Sequence, residues 1–146
     1  MTAKAFVFPA VIERGDEGGF VVSFPDVPEA ITQADSRNEA RDMAEEALGL
    51  ALLTYPARGL PLPKPKAPRR GTELVAVEPD IAAKLAVLEA FVEAGITKVE
   101  LARRLGKDEK EVRRILDPRH ATKLATLTQA LRALGKRLVV GVEAAA

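Results

Sequence analysis

The sequence predicts an α+β protein built from two small modules. Residues 1–78 read as β-β-β-α-β, a small antiparallel sheet with one covering helix. Residues 79–146 read as an all-α helix-turn-helix module followed by a C-terminal strand. Three observations support this division. Apolar runs suited to strands flank a glycine-rich turn near the N-terminus. Two short helices with capping residues flank Gly106. The charge is also split: residues 1–60 hold 5 basic and 10 acidic groups, net −5, while residues 79–146 hold 13 and 9, net +4.

Residues 5–12, A-F-V-F-P-A-V-I, suit a strand buried on both faces, and Pro9 argues for an edge position or a bulge. Residues 15–19, G-D-E-G-G, make a hairpin turn. Residues 19–24 return as a strand with Phe20, Val22 and Phe24 on one face. Pro25-Asp26-Val27-Pro28 stops it, and residues 30–34 add a short third strand. Ser36 and Glu39 form a capping box ahead of a helix. Ala40, Met43, Ala44, Ala47, Leu48, Ala51 and Leu52 line its apolar stripe, and Tyr55-Pro56 ends it. Prolines at 56, 61, 63, 65 and 68 make an extended loop that also carries Lys64, Lys66, Arg69 and Arg70. Residues 73–78 supply a fourth strand.

Pro79-Asp80 opens the second module. Ile81, Leu85, Leu88 and Val92 mark a helix that ends at Gly95. Residues 97–119 then read as a helix-turn-helix. Thr97 caps the first short helix, with Glu100 completing a capping box. Leu101, Ala102 and Leu105 repeat at helical spacing, and Ala102 is small enough for a close crossing. Gly106 stands where the turn needs positive φ. Asp108 caps the second helix, whose buried stripe is Val112, Ile115 and Leu116. A further helix after Pro118 carries Leu124, Leu127, Leu131 and Leu134 and stops at Gly135. Residues 137–142, R-L-V-V-G-V, are strand-like.

Composition excludes several classes. With no cysteine there is no disulfide and no thiolate metal site. A single histidine, His120, removes a His-rich metal site and argues against His-based catalysis. We expect no catalytic residues, no metal and no cofactor. The longest wholly apolar or glycine run, residues 47–53, is too short to span a membrane. The N-terminus shows no signal-peptide pattern, so a cytoplasmic location is expected.

Residues 98–123 contain nine basic and five acidic side chains. Off the buried stripe of the second short helix lie Glu109, Lys110, Arg113 and Arg114, the face that would enter a major groove. Lys98, Lys107 and Arg119 complete the expected DNA contacts. His120 suits a local structural hydrogen bond better than a phosphate contact.

Both modules together resemble the HicB-type antitoxins of bacterial toxin–antitoxin pairs, in the longer form that ends in a helix-turn-helix. The resemblance is carried by G-G-F-V-V-S-F-P-D-V-P at 18–28, S-R-N-E-A at 36–40, E-E-A-L at 45–48, L-A-R-R-L-G at 101–106 and L-D-P-R-H-A-T-K-L at 116–124. Two departures stand out. Glu29-Ala30 replace the usual Gly-Cys, and Lys98-Val99 occupy a region where many repressors place a glutamine.

The resemblance implies a truncated ribonuclease-H-like front module that binds and covers a small basic HicA-like RNA-cleaving toxin. We place that contact on the sheet and the turn after it, at Phe20, Val22, Phe24 and Asp26. It also implies a back module that represses the pair by binding operator DNA.

A strand at 137–142 needs a partner. Two copies pairing tails across a two-fold axis would provide one, through Leu131, Leu138, Val140 and Val142. The expected assembly is a homodimer or a higher oligomer on an inverted-repeat operator. Two other readings compete. One is a helix-turn-helix regulator whose front module senses a small molecule with Phe20, Phe24 and Tyr55. The other is a nuclease, which the scattered acids Asp16, Glu17, Asp26 and Asp35 do not favour.

Overall fold

A computed structural model describes residues 3–145; the outermost residues of both expected modules lie outside this range. The fold is α+β. Strands β1 (Val7–Arg14), β2 (Phe20–Ser23), β3 (Ile31–Ala34) and β4 (Glu73–Ala76) form one antiparallel sheet in the order β3-β2-β1-β4. Helix α1 (Arg37–Ala57) lies between β3 and β4 in sequence. The front part is therefore β-β-β-α-β.

β1 is a central strand, yet Pro9 sits in it without disturbing the ladder. Residues 7–10 of β1 pair with β4, and residues 11–14 pair with β2. Pro9 thus has a recorded strand partner on one side only, opposite Leu74, and its missing N–H breaks no ladder bond on the other. The hairpin between β1 and β2 closes with the Gly15 N–H donating to the Gly19 carbonyl at 3.0 Å.

One face of the sheet is covered by α1. Ala40, Ala44, Leu48, Ala51 and Leu52 meet Phe8, Ala10, Val22, Phe24, Val75 and Val77 in a single apolar core. Small residues along α1 let the helix lie close to the sheet. The Ser36 hydroxyl accepts from the Glu39 N–H at 3.2 Å, as a helix cap should. The return arm of the capping box is shifted by one residue, since the Glu39 carboxylate accepts from the Asp35 N–H at 3.4 Å. α1 does not stop at Tyr55-Pro56. It carries Pro56 in its last turn and continues to Ala57.

Helix α2 (Pro79–Ala94) belongs to two cores. Leu85 is buried in the core under the sheet, with Ile81 and Ala82 packed against it. Ala83, Val87 and Ala90 are buried in a second core. That core is completed by α3 (Lys98–Leu105), α4 (Glu109–Ile115) and α5 (Leu124–Ala133) through Leu101, Ala102, Val112, Ile115, Leu127, Ala130, Leu131 and Leu134. Val92 was expected on the buried stripe of α2 but is 78% exposed, because the second core claims the Val87–Ala90 side instead.

Residues 137–142 do not form a strand in the single chain. Gly135 takes φ 78° and turns the chain after α5. Leu138 folds back onto the second core, while Val139, Val140 and Val142 stay exposed. The strand-like composition is real, but the segment pairs with neither edge strand, β3 or β4.

Candidate nucleic-acid interface

The α3–α4 pair is built from local rules. The Thr97 hydroxyl accepts from the Glu100 N–H at 3.1 Å, and the Asp108 carboxylate accepts from the Glu111 N–H at 2.8 Å. Between the helices, Gly106 adopts φ 64°, ψ 33° and lets the Lys107 N–H return to the Ala102 carbonyl at 3.0 Å. Ala102 is buried, in keeping with a close approach of the two helices. Glu100 does not complete a capping box. Its carboxylate takes Arg103 and Arg104 instead, at 2.8 Å and 3.1 Å, and these bonds, led by Arg103, hold it down at about 2. Arg104 also donates to the Ala133 carbonyl at 3.0 Å, tying α3 to the end of α5.

With Val112 and Ile115 turned inward, α4 shows Glu109, Lys110, Arg113 and Arg114 to solvent. These fall into two groups. Arg113 pairs with Glu109 at 3.6 Å, and Lys107 pairs with Glu111 at 3.7 Å. Among the described residues, Lys98, Lys110, Arg114 and Arg119 have no ion pair. They are exposed cations with no internal counter-charge, able to meet an anionic surface. His120 makes a local contact, its Nδ1 lying 3.2 Å from the Thr122 hydroxyl.

One residue of this region escaped the sequence reading. Lys84 on α2 is only 3% exposed, and its ammonium reaches under the end of α4. It donates to the Ile115 carbonyl at 2.7 Å, the Arg114 carbonyl at 3.2 Å and the Thr122 hydroxyl at 2.7 Å. Burial lowers its pKa to about 8, with the Asp117 carboxylate opposing the shift. A lysine inside the apolar run A-A-K-L-A-V-L at 82–88 was the available signal.

The front module distributes its expected contact residues unevenly. Val22 and Phe24 are buried in the core beneath α1, so neither presents a side chain to a partner. This corrects both assignments: the side that Val22 of β2 shares with Phe24, just beyond the strand, faces the helix. Phe20 is half-buried and has the Arg14 guanidinium 5.8 Å from its ring centre. Asp26 is half-buried and accepts from the Lys66 N–H at 3.0 Å, which pins the proline-rich loop against the turn. The opposite side of the sheet carries Ile31 and Leu74, 63% and 60% exposed.

The same turn binds the end of α1. The Tyr55 hydroxyl donates to Glu29 at 2.6 Å, and this bond, with Arg58 nearby, lowers the Glu29 carboxyl. Two shallow clefts of this module are lined by Pro9, Asp26 and Lys66, and by Phe6, Leu62 and Lys64. Phe20, Phe24 and Tyr55 line neither of these clefts; Phe24 is in the first core and Phe20 and Tyr55 pack against it. Leu131 is likewise interior, buried in the second core, which removes it from any surface between copies. Among the described residues, no helix is long and apolar enough to cross a membrane.

Comparison with known proteins gives a consistent result. The sequence model of the HicB-like antitoxin of bacterial toxin–antitoxin systems matches residues 7–86. Antitoxin HicB 1 of Photorhabdus laumondii is 41% identical over 142 residues, covering 96% of this chain and 89% of the relative. Antitoxin HicB of Escherichia coli K12 is 37% identical over 131 residues, covering 90% and 95%. Antitoxin HicB of Pseudomonas fluorescens is 34% identical over 141 residues, covering 95% and 97%. These relatives carry the names of antitoxins and not of enzymes.

Proposed function

The chain belongs to the HicB-like antitoxin family of bacterial toxin–antitoxin systems, and we propose that it divides that role between its two parts. Residues 1–78 bind and cover a small basic HicA-like RNA-cleaving toxin. Residues 79–146 act as a helix-turn-helix repressor on the operator of the pair, with α4 as the recognition helix.

The observation that carries the DNA-binding half is the exposed face of α4. Lys110 and Arg114 project from a helix whose other face is locked into the second core, and neither has an internal counter-charge. A rigid helix with cations off its buried stripe is what a major groove accepts. Lys98, Lys107 and Arg119 flank it as phosphate contacts. Arg113 joins by exchanging its exposed pair with Glu109, a bond that contributes at most about 0.5 kcal/mol. Titrating the full-length protein into DNA taken from upstream of its own coding sequence tests this half. No preference over scrambled DNA would reject it.

For the toxin, exposure is the guide. The acidic turn at Asp16 and Glu17 and the exposed Ile31 and Leu74 on the outer side of the sheet offer charge and apolar area to a basic partner. Phe20 and Asp26 lie at the margin of the same module. Co-purification with the protein encoded next to it is the direct measurement, and its absence would count against the assignment.

The tails are the proposed dimer element. Leu138, Val140 and Val142 belong to a segment with unpaired backbone, and a second copy supplies the strand it lacks.

A further inference from the structure

We propose that Lys84 is a positioning residue for DNA binding: its buried ammonium caps the C-terminus of α4 and so fixes the pose of Lys110, Arg113 and Arg114. The proposal rests on the reading of α4 as the recognition helix.

The last carbonyls of a helix need partners, and a left-handed glycine usually arranges them. Among the described residues, four helices follow that rule. Gly59, Gly95, Gly106 and Gly135 stand just beyond α1, α2, α3 and α5 with φ between 63° and 78°. α4 has none. It ends at Leu116 with φ −90°, ψ 0°, and Asp117-Pro118 follow. At this end a buried side chain from another helix arrives. Lys84 Nζ meets the carbonyls of Arg114 and Ile115 and the hydroxyl of Thr122.

Three acceptors match the three donors of an ammonium. A positive charge at a helix C-terminus also suits the helix dipole. The contact spans α4 and the loop beyond it, because Thr122 lies past Arg119 and His120. One lysine therefore sets the exit of the recognition helix and the path of the following phosphate-contacting loop. It does so from α2, which the second core holds through Ala83 and Val87 on either side. A glycine cap would satisfy the carbonyls but would not tie α4 to anything.

The test compares the full-length protein with its Lys84→Met variant, which keeps the stem and removes the ammonium. The probes are the DNA duplex immediately upstream of its own coding sequence and a scrambled duplex of equal composition. Circular dichroism gives the folded fraction to which binding is normalised. Affinity for the upstream duplex should fall about tenfold as preorganisation is lost. Affinity for the scrambled duplex should change by less than about twofold, because charge and fold are otherwise kept.

A purely structural role would lower both alike or neither, so an unchanged ratio overturns the proposal. Where Lys84→Met does not fold, Thr122→Val decides, since it removes one acceptor. A selective loss of about threefold supports the assignment, and no change overturns it. Arg113→Ala and Arg114→Ala separate the two levels. If both leave binding unchanged, the reading of α4 falls and the role of Lys84 with it. If they weaken binding while Lys84→Met keeps selectivity, only the positioning role is lost.

Discussion

Lys84 and Ile115 are joined by a hydrogen bond of 2.7 Å from a buried ammonium to a helix-terminal carbonyl. They lie 31 positions apart, on two helices that share the second apolar core. This bond and its two companions leave no buried side-chain nitrogen or oxygen unpartnered among the described residues.

Removing the ammonium should therefore cost stability. Lys84→Met takes the donor from the Ile115 carbonyl, while the Arg114 carbonyl keeps the Asp117 N–H, and we expect a loss of about 1–3 kcal/mol by urea unfolding. The pH dependence has a definite sign. The folded pKa near 8 lies below the ordinary 10.5, so the unfolded chain holds more protons between those values. The contribution of Lys84 is flat below about pH 8 and grows as pH rises towards the unfolded value. The stability gap between the native protein and Lys84→Met should widen from about pH 7 to about pH 9.5. A gap that narrows would refute this.

The two arginines of α4 should not behave alike. Arg114 has no internal pair, whereas Arg113 must first leave Glu109. If either reads a guanine edge, its alanine variant loses about 1–3 kcal/mol of discrimination. Lys98→Ala and Arg119→Ala should weaken all DNA alike and reduce the salt slope by about one. Competition binding over a salt series measures both quantities.

Toxin neutralisation should follow exposure. Val22→Ala and Phe24→Ala should lower the unfolding midpoint by the equivalent of roughly 1–4 kcal/mol and leave toxin affinity unchanged at temperatures where the protein is folded. Ile31→Asp and Leu74→Asp should do the reverse. Calorimetry against the neighbouring gene product, with thermal melts of each variant, distinguishes these outcomes. Full binding by both aspartate variants would move the contact off this side of the sheet.

A front fragment should need part of α2. Ile81 and Leu85 pack into the core under the sheet, and the Ile81 side chain lies against Gly49 of α1. A fragment ending at residue 78 exposes that patch, whereas one ending at residue 94 covers it. The longer fragment should melt higher and still bind toxin. Equal melting temperatures would show that α2 contributes nothing to the first core.

Deleting residues 137–146 should yield a monomer in sedimentation and weaken operator binding sharply. Val140 and Val142 are exposed in the single chain, so the melting curve of the subunit should fall only by what Leu138 contributes at the edge of the second core. A truncated protein that stays dimeric and binds tightly places the dimer contact elsewhere.

Sequence alone determined most elements of this protein, because local rules govern them. Ser36, Thr97 and Asp108 name helix starts through hydrogen bonds that reach three residues ahead. Gly95, Gly106 and Gly135 name helix ends, and the apolar alternation around Phe20 and Val22 names a strand and its inward side. The motifs at residues 18–28 and 101–106 carry the family likeness in the sequence itself.

Tertiary structure decided whatever depends on residues distant in sequence. It turned Val22, Phe24 and Leu131 from candidate contacts into core, because an apolar side chain looks the same in sequence whether it meets a partner or its own interior. It made α2 common to two cores, which a boundary drawn at Pro79 cannot show. It left residues 137–142 unpaired, since a strand exists only where another edge accepts its backbone. And it placed Lys84 beneath α4, where three acceptors from two segments converge on one ammonium; no spacing along the chain encodes that meeting.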